Sequence, residues 1–585
     1  STRAIIGAFP LHPYWRSPVQ KHCGAPKPNV FAQMGRYFFA HLVFRGILNL
    51  KLGGRSSMKT IKSIHSSIIR RLSQGRNQAA LFGFLLFLSP CAVLYGSPVE
   101  FRAAPYLEAE FFASEPIPVA GEPFFFRLAP KVEESAEISA LRGELTVEDR
   151  SGQVVYEADL ELEAEHGFRA GAEWTPTANG LYSARAVLRG TDTGAASEPL
   201  ASAELTIPVR VEGREAHFAW YRSRGEGSAW SRLRWPTLFT TATAGRVEAL
   251  QRRGIIALKW AQGPMQLPMP DDRSEWGPLL EKRVGRYARF AGENETGYDG
   301  LGLDEFGGFR GTKDYDKTDA FLHEMARQQD ALHEGSVIAS WAGGGMPLKW
   351  ASLHRQTADF VLLELYIFGY FPPTTGTDNI YGLIDNRVDF MRARDMFVPS
   401  WGGQATTLIA LDSNMRHGQG EYYPGEIENV VRYLRREAPE MRGMALYNGS
   451  EGNGPDYEAM RKRNIDLFDD LFFEYFIKPV VTLQPGSLWV EEDEVVIAVS
   501  NIGAMDSGKV TVELRRDGEV WETVTAESVP AGFSRHTNRT LLRVPWTPKG
   551  GLNRLEARMA KSAFGTVLDG RVERDVFIPR ESDAE

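Results

Sequence analysis

The sequence predicts a multidomain protein with a central (β/α)8 TIM-like barrel flanked by two immunoglobulin-like β-sandwich domains. Three observations predict it. The 585 residues allow three or four domains at roughly 150 residues each. Between residues 214 and 480, continuous apolar runs alternate with helically spaced segments, the rhythm of parallel strands covered on both faces. On either side the rhythm changes to short alternating or aromatic-rich runs cut by Gly, Pro and Asp. Hydrophobic residues at 43% and charged residues at 24% exclude collagen-like and wholly disordered chains.

Residues 1–99 carry thirteen Lys/Arg and no acid, and Glu100 is the first carboxylate. The rest carries 54 basic and 75 acidic residues, a net −21 that repels phosphate backbones, so nucleic acid is not an expected partner. Both cysteines, Cys23 and Cys91, lie in the acid-free leader. From Met58 a basic stretch precedes the apolar run Ala79–Leu88, which is shorter than the roughly 20 residues of a membrane span and fits a signal-peptide core. Leu94 and Gly96 suit a cleavage site before Ser97. Residues 58–96 therefore read as a signal peptide and 1–57 as an extension outside the fold. The protein is expected to be exported in a bacterium, with no stable membrane span in its mature form. Lipidation at Cys91 competes with this reading, but Pro90 stands where a small residue is usual.

Residues 97–213 read as the first sandwich, with LEAEFFA, EPFFFRLAP and SAELTIPVRV as strand runs. Residues 481–585 repeat the style in EVVIAVSN and KVTVELRRDGEVWETV. Trp174-Thr175-Pro176 before Gly180-Leu181 is echoed by Trp546-Thr547-Pro548 before Gly551-Leu552. Through Val499-Ser500-Asn501-Ile502-Gly503 and Gly518-Glu519-Val520, the last hundred residues resemble bacterial cell-adhesion-related (CARDB) immunoglobulin-like domains, which implies a spacer or binding module.

Within 214–480, strands are expected at His217–Arg222, Ile255–Trp260, Leu301–Phe306, Val337–Trp341, Phe360–Tyr366, Phe397–Trp401 and Met444–Asn448. A barrel needs one more, within Ser231–Thr241 or the 261–297 region. A doubly wound sheet competes, but the Ser223–Ser228 run after the first strand opens no helix in register.

Active groups of a barrel sit at the C-terminal ends of its strands. In Tyr298–Phe306, alternation sends Leu301 and Leu303 toward the helices and Gly300, Gly302 and Asp304 inward. Glu305 follows at the strand end. Glu364, set among apolar neighbours, would be an unpaired buried charge if it faced the helices, so it is expected inside with Leu362 and Tyr366. Two carboxyls at one rim are what glycosidic cleavage needs, one as proton donor and one as nucleophile or base. Asp304, Glu305 and Glu364 are thus the candidate catalytic residues. The structural alternatives are a helix cap for the Asp-Glu pair and an ion pair with Lys259 for Glu364.

Trp260, Trp341 and Trp401, at expected strand ends, offer flat faces for sugar rings. Tyr366, Tyr447, Asn448 and Glu451 are further substrate-binding candidates, and Lys259 is one for an anionic sugar. No cofactor is expected. His323-Glu324 and His333-Glu334 lack the second histidine of a zinc helix, so no metal is expected, and neither a serine-hydrolase elbow nor a P-loop occurs.

The run Asp299-Gly300-Leu301-Gly302-Leu303-Asp304 resembles strand motifs of the TIM-barrel glycoside hydrolase superfamily, including its chitinase-like group. That group's acid would fall at Phe306, so its mechanism does not carry over. The resemblance covers a few strands and implies the superfamily, leaving the family open; together with the leader and the paired carboxyls, the expectation is a secreted glycosidase acting on a polysaccharide or glycoconjugate. A non-catalytic carbohydrate-binding scaffold and a polysaccharide lyase with Tyr366 or Tyr447 as base are the alternatives.

Overall fold

A computed structural model describes residues 107–579 apart from 133–139, 164–168, 191–198, 223–232, 242–243, 293–296, 307–311, 334–335, 343–346, 348, 366–376, 398–406, 413–423, 449–454 and 533–538. Some residues inside helices and strands, Glu305, Asp412 and Asn448 among them, are described by their backbone alone. The expected leader, Tyr366, Trp401 and Glu451 lie outside the described residues.

The first sandwich comprises β1 (Leu107–Ala113), β2 (Phe124–Val132), β3 (Ala140–Asp149), β4 (Val154–Glu163), β5 (Ala170–Trp174), β6 (Gly180–Gly190) and β7 (Ala201–Val209). They form antiparallel sheets in the orders β1-β2-β5 and β4-β3-β6-β7. Alternation drives the packing: Phe124, Phe126 and Leu128 turn inward from β2 and meet Tyr182, Ala184 and Leu188 of β6 around Trp174. The second sandwich spans Val480–Ile578, with sheets built around the strands Glu494–Asn501 and Val510–Arg516. The repeated Trp-Thr-Pro marks one place in both. Trp174 and Trp546 are buried at a strand's end, and the next strand opens at Gly180 (φ +147) or Gly551 (φ +103), where a left-handed backbone favours glycine.

Between them eight parallel strands close into a barrel, in order β8 (His217–Arg222), β9 (Leu238–Thr241), β10 (Ile256–Gln262), β11 (Gly300–Phe306), β12 (Val337–Ala342), β13 (Phe360–Leu365), β14 (Thr407–Asp412) and β15 (Gly443–Asn448), with β15 pairing back to β8. The helices of the outer layer are α1 (Val247–Gln251), α2 (Trp276–Gly292), α3 (Thr312–Arg327), α4 (Gln329–His333), α5 (Trp350–Thr357), α6 (Thr377–Phe397), α7 (Pro424–Glu437) and α8 (Pro455–Phe472). The fold class is therefore the one expected, with one correction of position. The eighth strand is Leu238–Thr241, inside the first of the two segments expected to hold it. Of the strand expected at Phe397–Trp401, Phe397 ends a 21-residue helix and the rest lies outside the described residues; the strand that pairs with β13 and β15 is Thr407–Asp412.

Two separate cores express the alternation. Ala219, Tyr221, Leu238, Leu258, Ala339, Trp341, Leu362, Leu408, Ala410 and Ala445 fill the barrel interior. Their chain neighbours Phe218, Trp220, Leu301, Leu303, Val361, Leu363, Ile409, Leu411, Met444 and Leu446 pack against the helices. Arg435 of α7, fully buried, fastens the barrel to the second sandwich by donating to the carbonyls of Met441 (2.6 Å), Tyr475 (2.8 Å) and Ile502. Asn179 and Asp506 join the two sandwiches through reciprocal bonds of 3.1 and 2.9 Å.

Candidate active site at the C-terminal end of the barrel

On β11, Gly302 faces inward where an added Cβ would lie 2.4 Å from Cγ2 of Thr240. The space that Gly302 leaves beneath Asp304 is thus occupied by Thr240, whose Oγ1 accepts from Trp341 Nε1 at 3.2 Å. Asp304 follows on the same face and is 8% exposed. Three donors converge on its Oδ2: Tyr221 Oη at 2.6 Å, Trp260 Nε1 at 3.1 Å and Gln266 Nε2 at 3.2 Å. Trp260 Nε1 also donates to Tyr221 Oη at 2.8 Å. Burial and the Asp304 charge push the Tyr221 phenol far above its ordinary value, so it stays protonated as a donor. A carboxylate only accepts, which fixes the Gln266 amide with its NH2 toward Asp304 and leaves its buried Oε1 without a partner among the described residues.

On β13, Phe360 and Leu362 belong to the interior core, while Val361, Leu363 and Leu365 belong to the outer one. Glu364, 8% exposed, therefore continues the inward face. Trp341 pairs with Leu362, and strands of such a barrel slip by about one residue each, so Asp304 and Glu364 come level on alternate strands. By the same slip, with Glu364 opposite Ala410 and Ala410 opposite Ala445, Tyr447 of β15 joins that level. Trp260, Trp341, Tyr221 and Ala410 form the layer beneath. Tyr221 lies against Trp341 (centroids 4.6 Å) and stacks on Tyr447 (5.3 Å), giving the carboxylate level an aromatic floor.

Behind β13, Arg387 of α6 donates to the Glu364 carbonyl at 3.3 Å. Burial lowers its pKa while the Glu364 charge acts the other way, so the guanidinium is within electrostatic reach of the carboxylate.

The expected site residues thus divide. Asp304, Trp260 and Tyr447 are brought together, with Glu364 on the same level. Trp341 has no exposed surface and packs against Tyr221 within that layer, which corrects its expected role as a stacking platform. Lys259 shares the outward side of β10 with Ala257 and Ala261, away from Glu364, because strand alternation separates it from Trp260. The backbones of Glu305 and Asn448 end β11 and β15. Tyr221 and Gln266 were missed. Alternation in His217–Arg222 could have found Tyr221, whereas Gln266 sits in the short turn Pro264–Gln266 with no periodic signal. Among the described residues, no group of three or more His, Cys, Asp or Glu is placed to hold a metal ion, and no helix is long and apolar enough to cross a membrane.

Fold and site together define a (β/α)8-barrel protein with β-sandwich domains and inward carboxylates at the barrel's C-terminal end. Solved structures to which the chain is similar include Bacteroides uniformis β-glucuronidase 2 covalently bound to cyclophellitol-6-carboxylate aziridine, at 11% identity, 83% of this chain, 63% of that one and a TM-score of 0.28. Ruminococcus gnavus β-glucuronidase matches at 12% identity, over 64% of this chain and 68% of that one, with a TM-score of 0.32. A putative β-galactosidase from Bacteroides fragilis matches at 10% identity, over 83% and 74%, with a TM-score of 0.25. The match spans less than two thirds of the first of these chains. No family profile and no curated protein matches the sequence.

Proposed function

We propose that this is an exported glycoside hydrolase that cleaves a glycosidic bond in a polysaccharide or glycoconjugate at the C-terminal end of its barrel. The observation that carries the reading is the levelling of Asp304 and Glu364 on alternate strands above an aromatic floor. Glycosidic cleavage requires an ionised carboxylate and a protonated one on either side of the bond. Three neutral donors on Oδ2 suit Asp304 to the ionised role, as nucleophile or as base for water. The proton then comes from Glu364 or from Glu305, the residue after Asp304. Gln266 Oε1, which has no partner among the described residues, is an acceptor beside the carboxylate, suited to a sugar hydroxyl.

The test is digestion of a glycan panel by the full chain beside Asp304→Asn, Glu305→Gln and Glu364→Gln. Loss of about 10²–10⁴ in rate is expected for Asp304→Asn and for whichever glutamate gives the proton. Turnover by Asp304→Asn equal to that of the parent would end the proposal. Binding without turnover by the parent chain would favour the scaffold reading, and products absorbing in the ultraviolet the lyase reading.

A further inference from the structure

The sheet β1-β2-β5 has a second face. Phe124, Phe126 and Leu128 of β2 turn into the sandwich core, so Phe125 and Arg127 turn outward, and Phe125 is 45% exposed. In the outward row, Arg127 pairs with Phe112 on β1 and with Gly171 on β5. The glycine leaves the third place of that row without a side chain. A cavity of about 450 Å³ opens there, lined by Phe112, Phe125, Arg127, Arg169, Gly171 and, from the barrel, Arg252. Among the described residues, no acidic one lines it. Arg252 pairs with Glu248, whereas Arg127 and Arg169 make no ion pair with a described residue.

The cavity is built across a tight junction. Gly254, at φ +68, lies so close to the segment after β1 that an added Cβ would be 2.3 Å from the Ser114 carbonyl oxygen. This junction is at the N-terminal end of β10, about 20 Å of strand length from the level of Asp304. Three guanidinium groups around one hollow repel each other, and on a chain of net negative charge they form a local exception. Arg127 and Arg169 each present a planar fork matched to a carboxylate or sulfate, and two phenyl rings beside them offer flat apolar faces.

We propose that this cavity is an accessory binding site for an oligosaccharide bearing carboxylate or sulfate groups. It holds the chain to its polymer and takes no part in bond cleavage, so it stands or falls apart from the glycosidase reading. The test is calorimetric titration of the full chain with hexagalacturonate, with a chondroitin sulfate hexasaccharide and with neutral cellohexaose. Asp304→Asn serves as background so that nothing is turned over. At least one anionic hexasaccharide is expected to bind, and Arg127→Ala/Arg169→Ala is expected to weaken it about tenfold or more. Phe125→Ala should weaken it several-fold, and cellohexaose should not compete. The two anionic ligands tell carboxylate from sulfate recognition. Failure of both to bind the background chain, or binding that the double variant leaves unchanged, overturns the proposal. These side chains are exposed, so unchanged urea midpoints serve to confirm that the variants fold.

Discussion

Tyr221 and Asp304, 83 positions apart in the chain, meet at 2.6 Å at the barrel's C-terminal end. Tyr221→Phe keeps the ring that stacks on Tyr447 and removes the shortest donor to a buried carboxylate. A hydrogen bond to a charged group contributes about 1.5–3 kcal/mol, so a loss of that order is expected in the urea unfolding free energy. Turnover should fall about tenfold or more if Asp304 acts as the ionised partner, because the carboxylate then loses both its aim and its stabilisation. A variant as stable and as active as the parent would show the bond to be incidental.

Two buried groups, His354 and Asp469, act on acid stability in opposite senses. His354, fully buried beside Ser340, is held down to about 3 by burial and secondarily by Arg394. It binds fewer protons folded than unfolded, so stability is lost as the pH falls from 6.5 toward 3, about 5 kcal/mol over the whole window. Asp469, buried against Arg234, is pushed up to about 6 by that burial. It binds more protons folded, so stability is gained as the pH falls from 6 toward 3.8, about 3 kcal/mol. The two slopes nearly cancel between pH 6 and 4. Asp469→Asn removes the compensation, and its urea midpoint should fall more steeply than the parent's in that window. Parallel profiles for the two proteins would show Asp469 to titrate alike in the folded and unfolded chains.

Two glycines with similar backbone angles should respond differently to alanine. Gly152 has φ +82 and nothing within 4 Å of an added Cβ, so Gly152→Ala should cost only the left-handed backbone strain, about 1–2 kcal/mol. Gly254 has φ +68 and the Ser114 carbonyl in the way. Gly254→Ala must also part the first sandwich from the barrel, and a loss of several kcal/mol is expected. Thermal unfolding of the pair checks this. Equal costs would show that the junction yields.

Much of this architecture was legible because it rests on local periodicity. Leu301 and Leu303 against Asp304, and Val361 and Leu363 against Glu364, read correctly from a period of two. What was left open or failed needed tertiary information. Leu238–Thr241, inside one of the two segments expected to hold the eighth strand, is only four residues long, too short for alternation to choose between them, and its closure between β8 and β10 is decided by pairing. Phe397–Trp401 is as apolar as a strand, but the helix beginning at Thr377 runs through Phe397. The role of Trp341 was misread because a tryptophan at a strand end looks the same whether its face is open or covered. Here Tyr221 covers it, and no feature of the sequence around Trp341 encodes that neighbour. Gln266 reaches Asp304 from a turn 38 positions earlier, a meeting fixed by the path of the chain over the barrel rim.

The floor of the candidate site depends on one missing methyl group. Gly302→Ala would drive a Cβ into Thr240, at 2.4 Å from Cγ2 and 2.6 Å from Oγ1, in an interior with no slack. Thr240 would have to turn, Trp341 would lose its acceptor, and Tyr221, packed on Trp341, would shift under Asp304. Overpacking of this kind costs about 1–3 kcal/mol, and a matching loss of turnover is expected from a carboxylate whose donor has moved. Thr240→Ala removes both colliding atoms but leaves Trp341 Nε1 buried and unpaired, so alone it is also destabilising, by about 1–3 kcal/mol. The double variant Gly302→Ala/Thr240→Ala should then be more stable than the sum of the two losses predicts, because the collision exists only while Thr240 is present. Additive losses in urea unfolding would mean that the two side chains do not share the space beneath Asp304.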